Sequence, residues 1–394
     1  MSVIDTSQSG TDRSLRRAAS DACASVRGTA GALMEITGST LPRILGTPES
    51  PKRLNLALQG GGVHGAFTWG VLDALLETEC VAIDGVSGTS AGAVNAVALA
   101  AGLMEGGPAG ARAKLEEIWR AISRAGAPGS YPSSLTSYAP GAAATGAAMW
   151  EGMQKLADMM SPYDLNPLDI NPLRDILLAK IDFERLNRES PAKLFIAATE
   201  VTSGRARIFA NGEISADAVL ASACLPKYFP AVKIGRFNYW DGGFSANPDL
   251  TTLIPETRAG DTLLVRINPA RNPELPVSRE EIAGNVNRLT YNQPLRNQIR
   301  QIESIRHAVR FTLLAPRRVQ RLAGHRLHLV DGSRTTRQLA HVSKSRPDWP
   351  LIKTLKEDGR REAMDWIANG LNHVGRRSGV DLHAQYFTDR LPFD

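Results

Sequence analysis

The sequence predicts an α/β protein, a three-layer α/β/α sandwich with a mainly parallel central sheet and a helical C-terminal addition. Three observations carry this. Short apolar segments alternate with helix-like patterns between residues 53 and 270, as in a parallel sheet covered on both faces. Two of the segments run straight into glycine-rich turns that open helices. From about residue 275 the chain changes to long amphipathic runs rich in arginine. At 394 residues and 43% hydrophobic content, it can bury a sizeable core.

Residues 1–50 are rich in Ser, Thr, Gly and Ala and read as a flexible segment, with Val26 to Leu45 as a short docking helix. Leu54, Leu56 and Leu58 then alternate with small or polar residues, the period of a strand. Gly60-Gly61-Gly62-Val63-His64-Gly65 follows, and a helix from Ala66 to Glu77 places Val71, Leu72, Leu75 and Leu76 on one face. A glycine loop at a helix N-terminus lets backbone N–H groups approach an anionic oxygen, either a phosphate or the oxyanion of acyl transfer.

A second apolar segment, Ile83 to Ser87, ends in Gly88-Thr89-Ser90-Ala91-Gly92, and a helix-forming run from Val94 to Leu103 begins at once. Strand, turn and helix in that order are the setting in which G-x-S-x-G forms a nucleophile elbow. Small residues are needed two positions either side of the serine, and both are glycine. Leu115, Ile118, Trp119 and Ile122 mark a third helix.

Residues 125–171 break the pattern. A stretch dense in Gly, Ala, Pro and Ser precedes Met149, Trp150, Met153, Leu156, Met159 and Met160, and long insertions of this kind are often lids or binding loops. Asn171-Pro172 opens a helix to Leu178. Lys193 to Val201 reads as a buried strand, paired through Thr202-Ser203-Gly204 with Arg205 to Phe209. Ser215 caps a helix from Ala218 to Ala223. Tyr239-Trp240-Asp241-Gly242-Gly243 is an extended aromatic segment ending in an acid, where Asp before Gly-Gly is commonly a turn residue. Thr262 to Asn268 is a further strand.

In the C-terminal region, 275–394, Leu295, Ile299, Ile302, Ile305 and Val309 form one helix face, suited to a core or to a membrane surface. Arg326 to Val330 alternates like a strand, and Trp349 to Val374 reads as a long helix. Residues 271–394 carry 22 Lys+Arg against 13 Asp+Glu, a basic third that suits contact with an anionic membrane surface; no nucleic-acid motif accompanies the charge. No run reaches the ~18 apolar residues of a membrane span, and no secretory signal is evident. Cys23, Cys80 and Cys224 lie far apart without metal-ligand spacing. They point to reduced thiols, hence a cytoplasmic protein, peripherally membrane-associated at most. No metal or cofactor is expected.

The glycine loop, Gly88-Thr89-Ser90-Ala91-Gly92 and Asp241-Gly242-Gly243 occur in the order found in the patatin-like phospholipases. Ala221-Ser222-Ala223-Cys224-Leu225-Pro226 with Phe229-Pro230 also resembles that family. The resemblance spans about residues 53–270, the expected acyl hydrolase domain. It implies a serine acyl hydrolase that cleaves carboxylic esters of lipids, of phospholipase A or lysophospholipase type. Ser90 would be the nucleophile and Asp241 the base of a dyad. Gly60, Gly61 and Gly62, with Ala91, would form the oxyanion hole. Gly88 and Gly92 would shape the elbow, with Gly242, Gly243 and His64 in support. The family usually has Arg or Lys where this chain has His64, which either donates a hydrogen bond near the oxyanion or simply belongs to the loop.

Other readings stay open on the residues alone. His325 or His328 would complete a Ser–Asp–His triad. Gly60-x-Gly62-x-x-Gly65, with Asp84 about twenty residues on, also fits a dinucleotide site. A catalytically weak lipid-binding scaffold is a third possibility.

Overall fold

The computed structural model describes residues 14–23, 51–126, 160–310, 314–337, 339, 344 and 347–387. The expected N-terminal docking helix, and all but Met160 of the Met- and Trp-bearing run, lie outside these residues.

The elements in order are α1 (14–23), β1 (Lys52–Leu58), α2 (Gly65–Thr78), β2 (Val81–Thr89), α3 (Ala91–Ala125), α4 (Pro172–Lys180), α5 (Phe183–Glu189), β3 (Lys193–Glu200), β4 (Ala206–Ala210), α6 (Ala216–Ser222), β5 (Val232–Ile234) and β6 (Phe237–Asp241). They continue with β7 (Asp261–Arg266), α7 (Arg279–Val309), α8 (Arg317–Gly324), β8 (Arg326–Asp331), α9 (Ser333–Arg337), α10 (Trp349–Gly370) and α11 (Leu382–Phe387).

One sheet holds all eight strands, in the order β5-β6-β3-β2-β1-β7-β8 with β4 also on β3. β3, β2, β1, β7 and β8 are parallel, β4 and β6 pair antiparallel with β3, and β5 pairs antiparallel with β6. The period of two in the strands divides their side chains between two cores. Leu54, Leu56, Leu58, Leu194, Ile196, Leu263 and Val265 enter the core that contains α2, α3 and α10. Ala57, Phe195 and Leu264 face the other way, onto Leu295, Ile299 and Ile302 of α7. The face of α7 that suited either a core or a membrane is therefore packed on the sheet.

The elbow helix and the third helix form one broken rod. Gly106 and Gly107 leave helical geometry in front of Pro108, and the axis turns there. Antiparallel β3–β4 follows the expected hairpin. The C-terminal region supplies β8 to the sheet edge and α10 to the layer over α2. Cys23 and Cys80 are joined in a disulfide, Cα–Cα 5.6 Å, where the sequence suggested reduced thiols. Cys224 is a buried free thiol whose pKa burial pushes up to about 12, so it is inert.

Candidate active site

Parallel strands deliver their C-terminal ends to one edge, where ligands of such sheets bind. β1 ends there in the glycine loop and β2 in Ser90. Ser90 sits at φ 54°, ψ −123°, a conformation a side chain adopts only under constraint. The constraint is the crossing of three backbones. A methyl group on Gly88 would meet the carbonyl of Gly92, and one on Gly92 the carbonyl of Leu58. Glycine at both positions lets α3 start immediately after the strand, which holds the hydroxyl out of the turn. Gly60 lies against the same turn: a Cβ there would be 2.8 Å from Ser90 Cβ.

Asp241 reaches this edge through strand register. Thr89 pairs with Ala197 on β3, and Ala198 pairs with Asp241 on β6, so serine and carboxylate end up on either side of β3. Asp241 is 1% exposed. Its Oδ1 accepts the Gly243 N–H at 2.7 Å, its own N–H donates to Cys224 O at 2.8 Å, and Thr199 Oγ1 donates to its carbonyl at 2.8 Å. Oδ2 has no well-formed hydrogen bond among the described residues. Burial pushes the carboxyl up to about 7, against the stabilising pull of Gly243 N–H and the Ser90 side chain. A carboxylate tuned to neutral pH, with one oxygen unclaimed beside a hydroxyl, can exchange a proton with it.

The N–H groups are not equivalent. Gly60 N–H donates to Asn247 Oδ1 at 2.7 Å, so it is not available to an oxyanion. Ser90 N–H donates to Ser222 Oγ at 2.9 Å. Gly61, Gly62 and Ala91 N–H have no acceptor among the described residues and remain as donors. His64 ends the short turn Gly62–His64 and is 1% exposed, an interior residue rather than part of a solvated loop.

Several residues that hold this arrangement carry no motif of their own. Ser222, 132 residues from Ser90 in sequence, and Cys224 brace Ser90 and Asp241 through the bonds above. Gln59 Oε1 accepts the N–H groups of Ile267 and Asn268, at 2.9 and 2.8 Å. Asn268 Nδ2 donates to Gly60 O at 2.7 Å. Tyr291 of α7 packs against Gly243 and, 5.1 Å from the ring of Phe244, forms a wall beside the carboxylate. Only the resemblance of residues 221–226 pointed toward any of these.

The two histidines considered for a triad lie elsewhere. His328 Nε2 bonds Asp261 Oδ1 at 2.9 Å and His325 Nε2 bonds Thr262 Oγ1 at 2.7 Å, at the start of β7, the opposite end of the strands from Ser90. Burial lowers the His325 pKa to about 3. Asp84 does not sit at a ribose position. It occurs early in β2, and its carboxylate accepts the N–H groups of Arg258 and Ala259. Among the described residues no group of three His, Cys, Asp or Glu could hold a metal ion, and no helix is long and apolar enough to cross a membrane.

The chain combines a mixed α/β fold with a strained serine, a glycine loop and a buried acid at the C-terminal ends of its strands, and its family match places it among lipid hydrolases. The patatin-like phospholipase pattern matches residues 56–254, half of the chain, and the chain belongs to that family. No curated protein matches it. Among solved structures it is similar to VipD from Legionella pneumophila, at 16% identity over 85% of this chain and 72% of that one, TM-score 0.36. It is also similar to the complex of ExoU with SpcU from the type III secretion system of Pseudomonas aeruginosa, at 20% identity over 62% of this chain and 51% of the matched one, TM-score 0.25.

Proposed function

We propose that the protein hydrolyses carboxylic ester bonds of phospholipids and lysophospholipids through an acyl-serine formed by Ser90 and Asp241. The observation that carries this is the unclaimed Oδ2 of a buried Asp241, with its pKa near 7, beside the strained Ser90. Asp241 takes the Ser90 Oγ proton as the oxygen attacks the acyl carbonyl. The oxyanion is held by Gly61 and Gly62 N–H from one side and Ala91 N–H at the start of α3 from the other. The tetrahedral adduct collapses, and Asp241 returns the proton to the departing alkoxide. Water then repeats the sequence: Asp241 takes its proton, hydroxide adds to the acyl-serine, and the fatty acid leaves as Ser90 regains its hydrogen. Nothing in the cycle calls for a metal, so activity persists in EDTA. The protein meets its lipid from the aqueous side, as a peripheral visitor to the membrane surface.

The test is fatty-acid release from phosphatidylcholine and lysophosphatidylcholine, run alongside fluorophosphonate labelling with peptide mapping. Wild type labels at Ser90, and Ser90→Ala loses both label and turnover, by about 10⁴-fold or more for a lost nucleophile. Undiminished release by Ser90→Ala would overturn the proposal.

A further inference from the structure

Lys344 comes from the C-terminal region, far in sequence from every motif above, yet it touches the glycine loop twice. Its carbonyl packs against Gly62, which has φ 60° and no space for a Cβ. Its ammonium donates to Asn268 Oδ1 at 2.7 Å. Asn268 is 1% exposed, and its amide Nδ2 donates in turn to Gly60 O at 2.7 Å. Among the described residues, Asn268 Oδ1 is the one partner of this ammonium and no carboxylate pairs with it. A cation withdrawn from water without a counter-ion costs stability, so its placement calls for a return elsewhere.

We infer that Lys344 is a positioning residue for the oxyanion hole, acting through Asn268 on the Gly60–Gly61 peptide. The carbonyl of Gly60 and the N–H of Gly61 belong to one planar trans peptide and point in opposite directions. A hydrogen bond that seizes the Gly60 oxygen therefore fixes where the Gly61 N–H is aimed. Hydrogen bonds in a chain also polarise one another. The ammonium draws electron density from Asn268 Oδ1, which makes Nδ2–H a stronger donor to Gly60 O, which makes Gly61 N–H a stronger donor in its turn. The full charge of Lys344 is thus felt at the oxyanion without contact. Burial, which lowers the Lys344 pKa to about 8, leaves it mostly charged at neutral pH. His64 within the loop is enclosed, and Lys344 brings positive charge to the loop from outside it.

This rests on the acyl-serine reading, and the experiment separates the two. Fatty-acid release from lysophosphatidylcholine is followed for wild type, Ser90→Ala, Lys344→Met, Lys344→Arg, Asn268→Leu and the Lys344→Met/Asn268→Leu pair. Lys344→Met lowers kcat about tenfold with KM within about twofold, short of the ~10²–10³ of a lost oxyanion donor. Lys344→Arg recovers most of that loss. The double variant is no worse than Asn268→Leu alone, because both act along one chain. Ethylammonium added to Lys344→Ala raises its kcat, which a purely structural lysine would not show. Wild-type kcat in Lys344→Met, or additive losses in the double variant, would overturn the relay while Ser90→Ala still reports on the hydrolase reading. Turnover retained in Ser90→Ala would overturn both.

Discussion

Two aspartates, one at each end of the same sheet, are buried almost equally, yet they are opposites chemically. Asp241 is 1% exposed and Asp261 is 3% exposed. Asp241 has one backbone donor on Oδ1 and an unclaimed Oδ2. Asp261 is saturated: Arg326 grips both oxygens at 2.9 and 2.7 Å, and His328 and the Gly375 N–H add to Oδ1. Burial pushes both carboxyls up. At Asp241 it prevails, and the pKa reaches about 7. At Asp261 the donors prevail and hold the group well below the usual carboxylate range. The difference teaches that burial alone does not mark a reactive acid. What marks it is burial that the protein leaves uncompensated.

The sharpest way to break the comparison is to remove each charge in turn. Asp241→Asn is expected to lower kcat by about 10³-fold or more through loss of the base, with the melting temperature unchanged or raised. Asp261→Asn is expected to reverse this pattern, costing about 3 kcal/mol because Arg326 and His328 lose their partner, with kcat nearly intact. Urea unfolding and ester hydrolysis on both variants check this; equal losses of activity would erase the distinction.

The pH dependence separates the pair next. Asp241 binds its proton more tightly folded than unfolded, so its contribution to stability falls as pH rises from about 4 to about 7. Its use as a base has the reverse sign, and kcat/KM climbs to a limb near pH 7 rather than near the ordinary 3.8. Asp261 contributes stability above about pH 4, and that is lost as pH falls toward its depressed folded value. A kcat/KM limb near pH 4 would mean that Asp241 is not the base. The smallest expected effect is that of Ser222→Ala, which leaves Ser90 N–H buried without its acceptor and lowers kcat about threefold to tenfold, with KM unchanged.

The two ends of the sheet also differ in how far they could be read from sequence. The glycine loop and the Ser90 turn are local: strand, tight turn and helix lie within about fifteen residues, and the glycines announce the close approach. The fold class followed from alternating strands and helices in the same way. Asp241 was singled out as a candidate through its order relative to the other blocks, since Asp-Gly-Gly alone looks like any turn. Ser222 was singled out only as part of the 221–226 block, and Asn247, Asn268 and Lys344 not at all, because their contacts arise from register and from the meeting of distant segments. Gly60 was placed among the oxyanion donors, but Asn247, 187 residues away in sequence, takes its N–H. His325 and His328 looked suited to catalysis by position downstream, and it is the parallel pairing of β7 with β8 that takes them to the far end. The buried face of α7 had the same periodicity it would have on a membrane; only the sheet beneath it decides.

The lateness of the C-terminal elements has a consequence for the chain as it leaves the ribosome. Ser90 and Asp241 are made well before β8, Lys344 and α10. Until those emerge, β7 has an open edge, Gly62 lacks the carbonyl that packs on it, and Asp73 of α2, already held by Arg112, lacks its second guanidinium, that of Arg360, 287 residues on. The order of synthesis thus acts as a timer. Ser90 is present early, but the contacts that brace the loop beside it are completed only after Lys344 has emerged.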